Sequence, residues 1–197
     1  MRVPDYTLPT CYRPPFIRPP ARGFQEKGEG GFSFTTGDTV TVIDLPRDVL
    51  RPSGPRYGAL VHAILATVSL DADRDRVAEV ATLQGRILGA TDEEVASASE
   101  VVSLALGHSL MARAREAAAK GACRRETPVT ATAPDGVLIE GVVDLAFREG
   151  DAWTVVDFKA DRELADALDV YRRQVWLYAD MVTQATGQPA TAVLMKL

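Results

Sequence analysis

Hydrophobic and polar positions change period along this chain, and each change marks an element. Residues 1–36 show almost no period and are rich in Pro, Gly and Arg. Arg13-Pro14-Pro15 and Arg18-Pro19-Pro20 predict extended or disordered backbone. Thr39 to Leu45 alternate enough for a short strand. Ser53-Gly54-Pro55 can open a helix that runs to about Val68, with proline in its first turn. A second helix is predicted over 74–88, stopped by Gly89. Thr91 and Glu94 have the spacing of a capping box for a third, which runs towards Lys120, bends at Gly107 and ends at Gly121. The pattern then becomes strand-like near Thr127–Thr132, over 137–147 (VLIEGVVDLAF) and over 153–159 (WTVVDFK). A long helix from about 163 to 186, capped by Gly187, and a last strand from Ala190 to Lys196 complete the chain. Helices, three strands, a helix and a strand predict an α/β domain. Residues 1–45 are read as a poorly ordered N-terminal extension and 46–197 as the domain.

The two central strands carry the chemistry. Gly150 supplies a turn between them, so they predict a hairpin. Pairing Arg148 with Trp153 sets Asp144 directly opposite Asp157. Pairing Phe147 with Trp153 turns the two carboxylates to opposite faces. The first register is expected. Like charges facing each other across strands are destabilising, and a divalent cation would offset that cost. Carboxylate ligands with retained waters suit Mg²⁺ or Mn²⁺. Asp157 and Lys159 are two apart and share a strand face, so the lysine can stand beside such an ion, there to orient or deprotonate an attacking water or to neutralise charge on a scissile phosphate. A D-x-K triplet recurs by chance as an ordinary surface pair. Here Val142, Val143, Val155 and Val156 flank the acids, and charges inside buried strands need partners.

These residues resemble the PD-(D/E)xK nuclease superfamily, and more closely the RecB-like nuclease domain at the C-terminal end of AddA/RecB-type bacterial helicase–nucleases. Four ordered segments carry the resemblance over about residues 50–197: Tyr57-Gly58-Ala59-Leu60-Val61-His62, Glu140-Gly141-Val142-Val143-Asp144, Val156-Asp157-Phe158-Lys159-Ala160-Asp161, and Tyr171-Arg172-Arg173-Gln174-Val175-Trp176-Leu177-Tyr178. It implies an αβββαβ core, a central mixed sheet flanked by helices, with extra N-terminal helices. It also implies a Mg²⁺- or Mn²⁺-dependent deoxyribonuclease of DNA end processing or recombinational repair. His62, Asp144 and Asp157 would be metal ligands, the Phe158 carbonyl would complete the site, and Lys159 would be the catalytic lysine. Gln174 and Tyr178 would form the family's Q-x-x-x-Y motif near the substrate, flanked by Arg172 and Arg173. The implied partners are single-stranded DNA or DNA ends and a helicase. Ala160 departs from the threonine that often follows the lysine. The alternatives are a catalytically silent DNA-binding or scaffolding domain, and a restriction-type or repair endonuclease on the same fold.

Composition narrows the classes. The chain has 197 residues, 46% hydrophobic and 25% charged, enough for one domain with a core. No apolar run approaches the ~20 residues of a membrane span, and the N-terminus lacks the apolar stretch of a signal peptide. A cytoplasmic location is expected. Cys11 and Cys123 have neither metal-ligand spacing nor a disulfide framework, and an iron–sulfur cluster needs about four thiolates. No G-x-x-x-x-G-K-[ST] motif encodes an ATP site, and no nucleophile elbow is present. Net charge is −5, but Arg113, Arg115, Lys120, Arg124 and Arg125 cluster before the strands, where they would either track a phosphate backbone or form a solvated helix face. Gln174 and Tyr178 share one helix face. Glu126 can reach the outer shell of a metal site. His108 has no matching context and reads as surface or packing.

Overall fold

The computed structural model describes residues 39–48, 50–132, 138–160 and 164–197, with side chains of the last stretch described from residue 168. The expectations for residues 1–36, including Cys11, lie outside these, as does Asp161. Five strands form one mixed sheet: β1 (Val40–Asp44), β2 (Cys123–Thr132), β3 (Leu138–Glu149), β4 (Ala152–Lys159) and β5 (Ala190–Lys196), in the order β1-β5-β4-β3-β2. β2, β3 and β4 make an antiparallel meander, β5 runs parallel to β4, and β1 runs parallel to β5. Helices α1 (Pro55–Thr67), α2 (Arg74–Leu88), α3 (Asp92–Gly107) and α4 (Ser109–Ala119) precede the meander, and α5 (Leu164–Thr186) links β4 to β5. The α/β class and the element order are those expected from the sequence.

Two hydrophobic layers sandwich the sheet. One joins α1–α4 to Leu145, Phe147, Val156, Phe158 and Met195. The other joins α5, through Val175, Tyr178 and Val182, to Val143, Ala146, Val155 and Leu194. Along β4, Val155 and Val156 fall in different layers, as alternation requires. No single helix among the described residues is long and apolar enough to cross a membrane. The bent pair α3 and α4 instead buries Val102, Leu106, Leu110 and Met111 in the core.

Local signals explain the helix ends. Thr91 and Glu94 form the capping box, and Gly89 closes α2 in the left-handed conformation that glycine adopts without strain. The third predicted helix breaks rather than bends: α3 stops at Gly107, and α4 sets off at 73° to it. The His108 Nδ1 accepts from the Leu110 N–H at 3.1 Å, so this histidine caps α4. Two boundaries move. β2 begins at Cys123, ahead of the expected Thr127. Val40–Asp44, assigned above to the N-terminal extension, is an edge strand of the sheet, and Leu45 lies in the core. The sequence alone offers no partner for so short a strand. Its partner is β5, about 150 residues away.

Candidate active site

The site forms where β3 peels away from β4. The hairpin pairs Arg148 with Trp153, the register expected from the sequence, and the ladder ends at Leu145 opposite Val156. Carried one step further, that register brings Asp144 alongside Asp157. Beyond the last pair, the Asp144 side chain takes over a backbone donor: its Oδ2 accepts from the Phe158 N–H at 2.8 Å. Strict alternation also fails here. Val143 packs with α5, whereas Leu145, two residues on, packs with α1–α4. Across β2 from Asp144 stands Glu126, whose φ of 46° is the one positive value among described non-glycine residues. The kink turns Asp144 towards α1. Val142, read from the sequence as part of a buried run, is exposed on this bent strand.

His62 comes from α1, with its Nδ1 3.6 Å from Asp144 Oδ1, an ion-pair distance rather than a hydrogen bond. The helix is pinned at its C-terminal end. Arg125 on β2 donates to the Leu65 carbonyl at 2.9 Å and to the Val68 carbonyl, satisfying acceptors that a helix end leaves open. Arg115 does the same for Leu106 at the end of α3 and also bonds the Leu70 carbonyl in the turn after α1. Arg124 bonds the Gly121 and Cys123 carbonyls, and Arg113 pairs with Glu149 above the Phe147 ring. Four members of the basic cluster therefore serve the fold. Neither the phosphate track nor the solvated helix face anticipated these contacts with backbone carbonyls and Glu149. A second clamp holds the end of β4. Arg47 and Arg51 both donate to the Ala160 carbonyl at 3.2 Å, and Arg51 also reaches the Leu197 carbonyl at 2.7 Å. Ala160 itself is buried, so the clamp acts on its backbone.

Lys159 Nζ stands 2.8 Å from Asp157 Oδ2, with both side chains almost fully buried. Apart from this ion pair, the buried Oδ2 has no hydrogen-bond partner. Burial pushes the Asp157 carboxyl up to about 6; Lys159 opposes the rise and Asp144 adds to it. Burial also resists ionisation of Asp144, but His62, Lys159 and the Phe158 N–H outweigh it and hold this carboxyl below its ordinary value. One acid is thus kept ionised while its neighbour is pushed towards neutrality, as two carboxylates sharing a site require. Burial pulls His62 and Lys159 down, yet the facing acids leave both above their ordinary values.

A small cleft of about 10 Å³ opens onto His62 and Asp144, with Arg125, Glu126, Leu145 and Phe158 also in its wall. It has room for about one water-sized sphere. Among the described residues no three His, Cys, Asp or Glu side chains are gathered tightly enough to hold a metal ion as they stand. The carboxylates are engaged with Lys159, His62 and the Phe158 N–H instead. The donor set nevertheless fits a hard divalent cation: two carboxylates, one imidazole, and a buried Asp157 oxygen with an open lone pair. Glu126 lines the same cleft, and burial raises its carboxyl, with Asp144 adding to the rise.

α5 covers the other side. Gln174 Nε2 donates to the Tyr178 hydroxyl at 2.9 Å, while Gln174 Oε1 is buried without a hydrogen-bond partner. Tyr178 is buried against β3. A β-carbon on Gly141 would lie 2.4 Å from its ring, so only glycine lets the two elements approach this closely. Tyr178 thus lies beneath the strand that carries Asp144. Arg172, 3.7 Å from Asp169, and Arg173 are exposed on α5. The structure brings His62, Asp144, Asp157, Phe158 and Lys159 together as the sequence suggested. The Arg47–Arg51 clamp, Arg125, the role of Gly141, and Tyr171, whose ring lies under Lys159, were not foreseen. The family model described as the PD-(D/E)XK nuclease superfamily matches residues 39–197. No curated protein matches the chain.

Proposed function

The chain belongs to the PD-(D/E)XK nuclease superfamily, and from that premise we propose that it is a metal-dependent DNA nuclease hydrolysing phosphodiester bonds. The observation that carries the reading is the buried Asp157 carboxylate, which faces Lys159 yet keeps an open lone pair beside Asp144 and His62. A buried acid pair is costly to maintain and has no structural purpose that apolar residues would not serve better. His62, Asp144 and Asp157, with the Phe158 carbonyl, would hold Mg²⁺ or Mn²⁺. When bound, the ion supplies a Lewis acid and a water of lowered pKa.

The chain's own residues do the rest. Lys159, kept protonated by the two acids, presents a fixed positive charge beside Asp157. There it neutralises negative charge growing on the phosphate oxygens and donates a hydrogen bond to the oxygen that develops charge. Asp157 orients that lysine, Asp144 holds the Phe158 backbone, and the arginine clamps keep α1 and the end of β4 in place. Exposed Arg172 and Arg173 on α5 supply cations for a DNA backbone, with Gln174 and Tyr178 supporting the strand behind them. The ordered motifs favour a RecB-like enzyme of DNA end processing or recombinational repair, acting on single strands or ends, alone or fed by a helicase.

End-labelled linear and circular single-stranded DNA, incubated with Mg²⁺, Mn²⁺ or EDTA, test the proposal on wild type and Lys159→Ala. Metal-dependent cleavage by wild type, lowered ~10²–10³-fold in the variant, is the expected result, and opening of the circle identifies an endonuclease. Equal cleavage by both proteins would overturn the role of Lys159. A folded wild type that neither cuts nor binds metal would overturn the nuclease.

A further inference from the structure

We infer that Tyr171 is a positioning residue for Lys159, holding the ammonium group through its ring face. The inference rests on the nuclease reading for its catalytic consequence, but not for its geometry. Lys159 Nζ lies 4.9 Å from the centre of the Tyr171 ring, inside the range of a cation–π contact. The same Nζ meets Asp157 Oδ2 at 2.8 Å, an ion pair between two buried side chains. The ammonium group is therefore held between a carboxylate and a ring. Neither contact alone restrains a side chain with four rotatable bonds, which loses substantial rotamer freedom on being ordered.

The ring is well placed to do this. Tyr171 lies on the face of α5 that also presents Gln174 and Tyr178, at positions i, i+3 and i+7. That face is locked against β3 by the close approach of Tyr178 to Gly141. α5 thus transmits a fixed distance from the sheet to the ring, and from the ring to the lysine. Asp157 has a second demand on it as a candidate metal ligand, so its grip on Lys159 is shared. A lysine misplaced by a fraction of an ångström in a preorganised site loses transition-state stabilisation without losing substrate affinity.

The test compares wild type, Tyr171→Phe and Tyr171→Leu by three readouts. The first is the proton shift of the Lys159 ε-methylene in ¹³C-lysine-labelled protein, assigned with Lys159→Arg. A proton above an aromatic face is moved upfield by the ring current. The shift should persist in Tyr171→Phe and collapse in Tyr171→Leu. The second is steady-state cleavage of single-stranded DNA, where kcat should fall about tenfold in Tyr171→Leu and stay within about threefold in Tyr171→Phe, with KM unchanged in both. The third is Mn²⁺ affinity by calorimetry, which should not move. Several results would overturn the inference: an unmoved Lys159 resonance in Tyr171→Leu, equal loss of kcat in both variants, or a rise in KM with kcat intact. If wild type neither cuts DNA nor binds metal, the nuclease reading falls. The resonance alone then decides whether the ring holds the lysine.

Discussion

Replacing Asp157 by Asn should stabilise the metal-free protein at alkaline pH and abolish its response to metal. Asp157 is 2% exposed, and burial raises its carboxyl from the ordinary 3.8 to about 6. Below the unfolded pKa the group is neutral in both states and costs nothing. Between 3.8 and about 6 the unfolded carboxyl ionises while the folded one keeps its proton, so stability falls across that window; above about 6 the folded protein holds a charge that the unfolded chain carries freely in water. The gap between 3.8 and about 6, at about 1.4 kcal/mol per pH unit, makes the ionised carboxylate cost about 3 kcal/mol at pH 8 and roughly half as much at pH 5. An amide of the same shape avoids that cost. For a chain of this size about 3 kcal/mol corresponds to roughly 6–12 °C in Tm. Thermal unfolding in EDTA at pH 8 and pH 5 measures the difference. Asp157→Asn should melt higher at pH 8, with the advantage shrinking at pH 5. His62, whose pKa is raised, contributes stability that is lost as pH rises. It does so in both proteins, so the comparison removes it to first order. Adding Mn²⁺ at pH 8 should stabilise the wild type by about 2.7 kcal/mol at a hundredfold excess over Kd, and so raise its Tm, and leave the variant unmoved. A variant that melts below wild type at pH 8, or an offset equal at both pH values, would refute the reasoning.

Two structural substitutions probe the scaffold. Gly141→Ala places a methyl 2.4 Å from the Tyr178 ring, and the forced separation of β3 from α5 should cost about 1–3 kcal/mol in urea unfolding. Shortening the partner ring in Gly141→Ala/Tyr178→Leu should recover part of that loss, and strict additivity of the two changes would count against direct contact. Arg125→Ala strips the Leu65 and Val68 carbonyls of their donor; about 1–3 kcal/mol should be lost, and Mn²⁺ affinity should weaken because α1 carries His62. Unchanged calorimetric affinity would show that α1 is held elsewhere.

Much of this fold was legible because its determinants are local. Capping by Thr91 and Glu94, the left-handed Gly89 and Gly187, and the period of each segment act within a few residues of where they appear. The short turn at Gly150 set the β3–β4 register, and with it the approach of Asp144 to Asp157. Lys159 follows Asp157 on the same face from the strand repeat alone. The rest depended on contacts between residues far apart in the chain. β1 joins β5 in parallel across about 150 residues, and no local signal announces such a pairing. The basic cluster looked the same on paper whether it met phosphate or carbonyl; only packing brought Arg125 under the end of α1 and Arg115 against Leu70 and Leu106. The kink that turns Asp144 towards His62, the space that Gly141 leaves for Tyr178, and the ring beneath Lys159 likewise arise from the sheet meeting α1 on one side and α5 on the other. Period and capping are written in neighbouring residues, so the sequence by itself determined the elements and named the acids and the lysine. Their mutual approach depends on which distant surfaces exclude water together, and that only the tertiary structure decided.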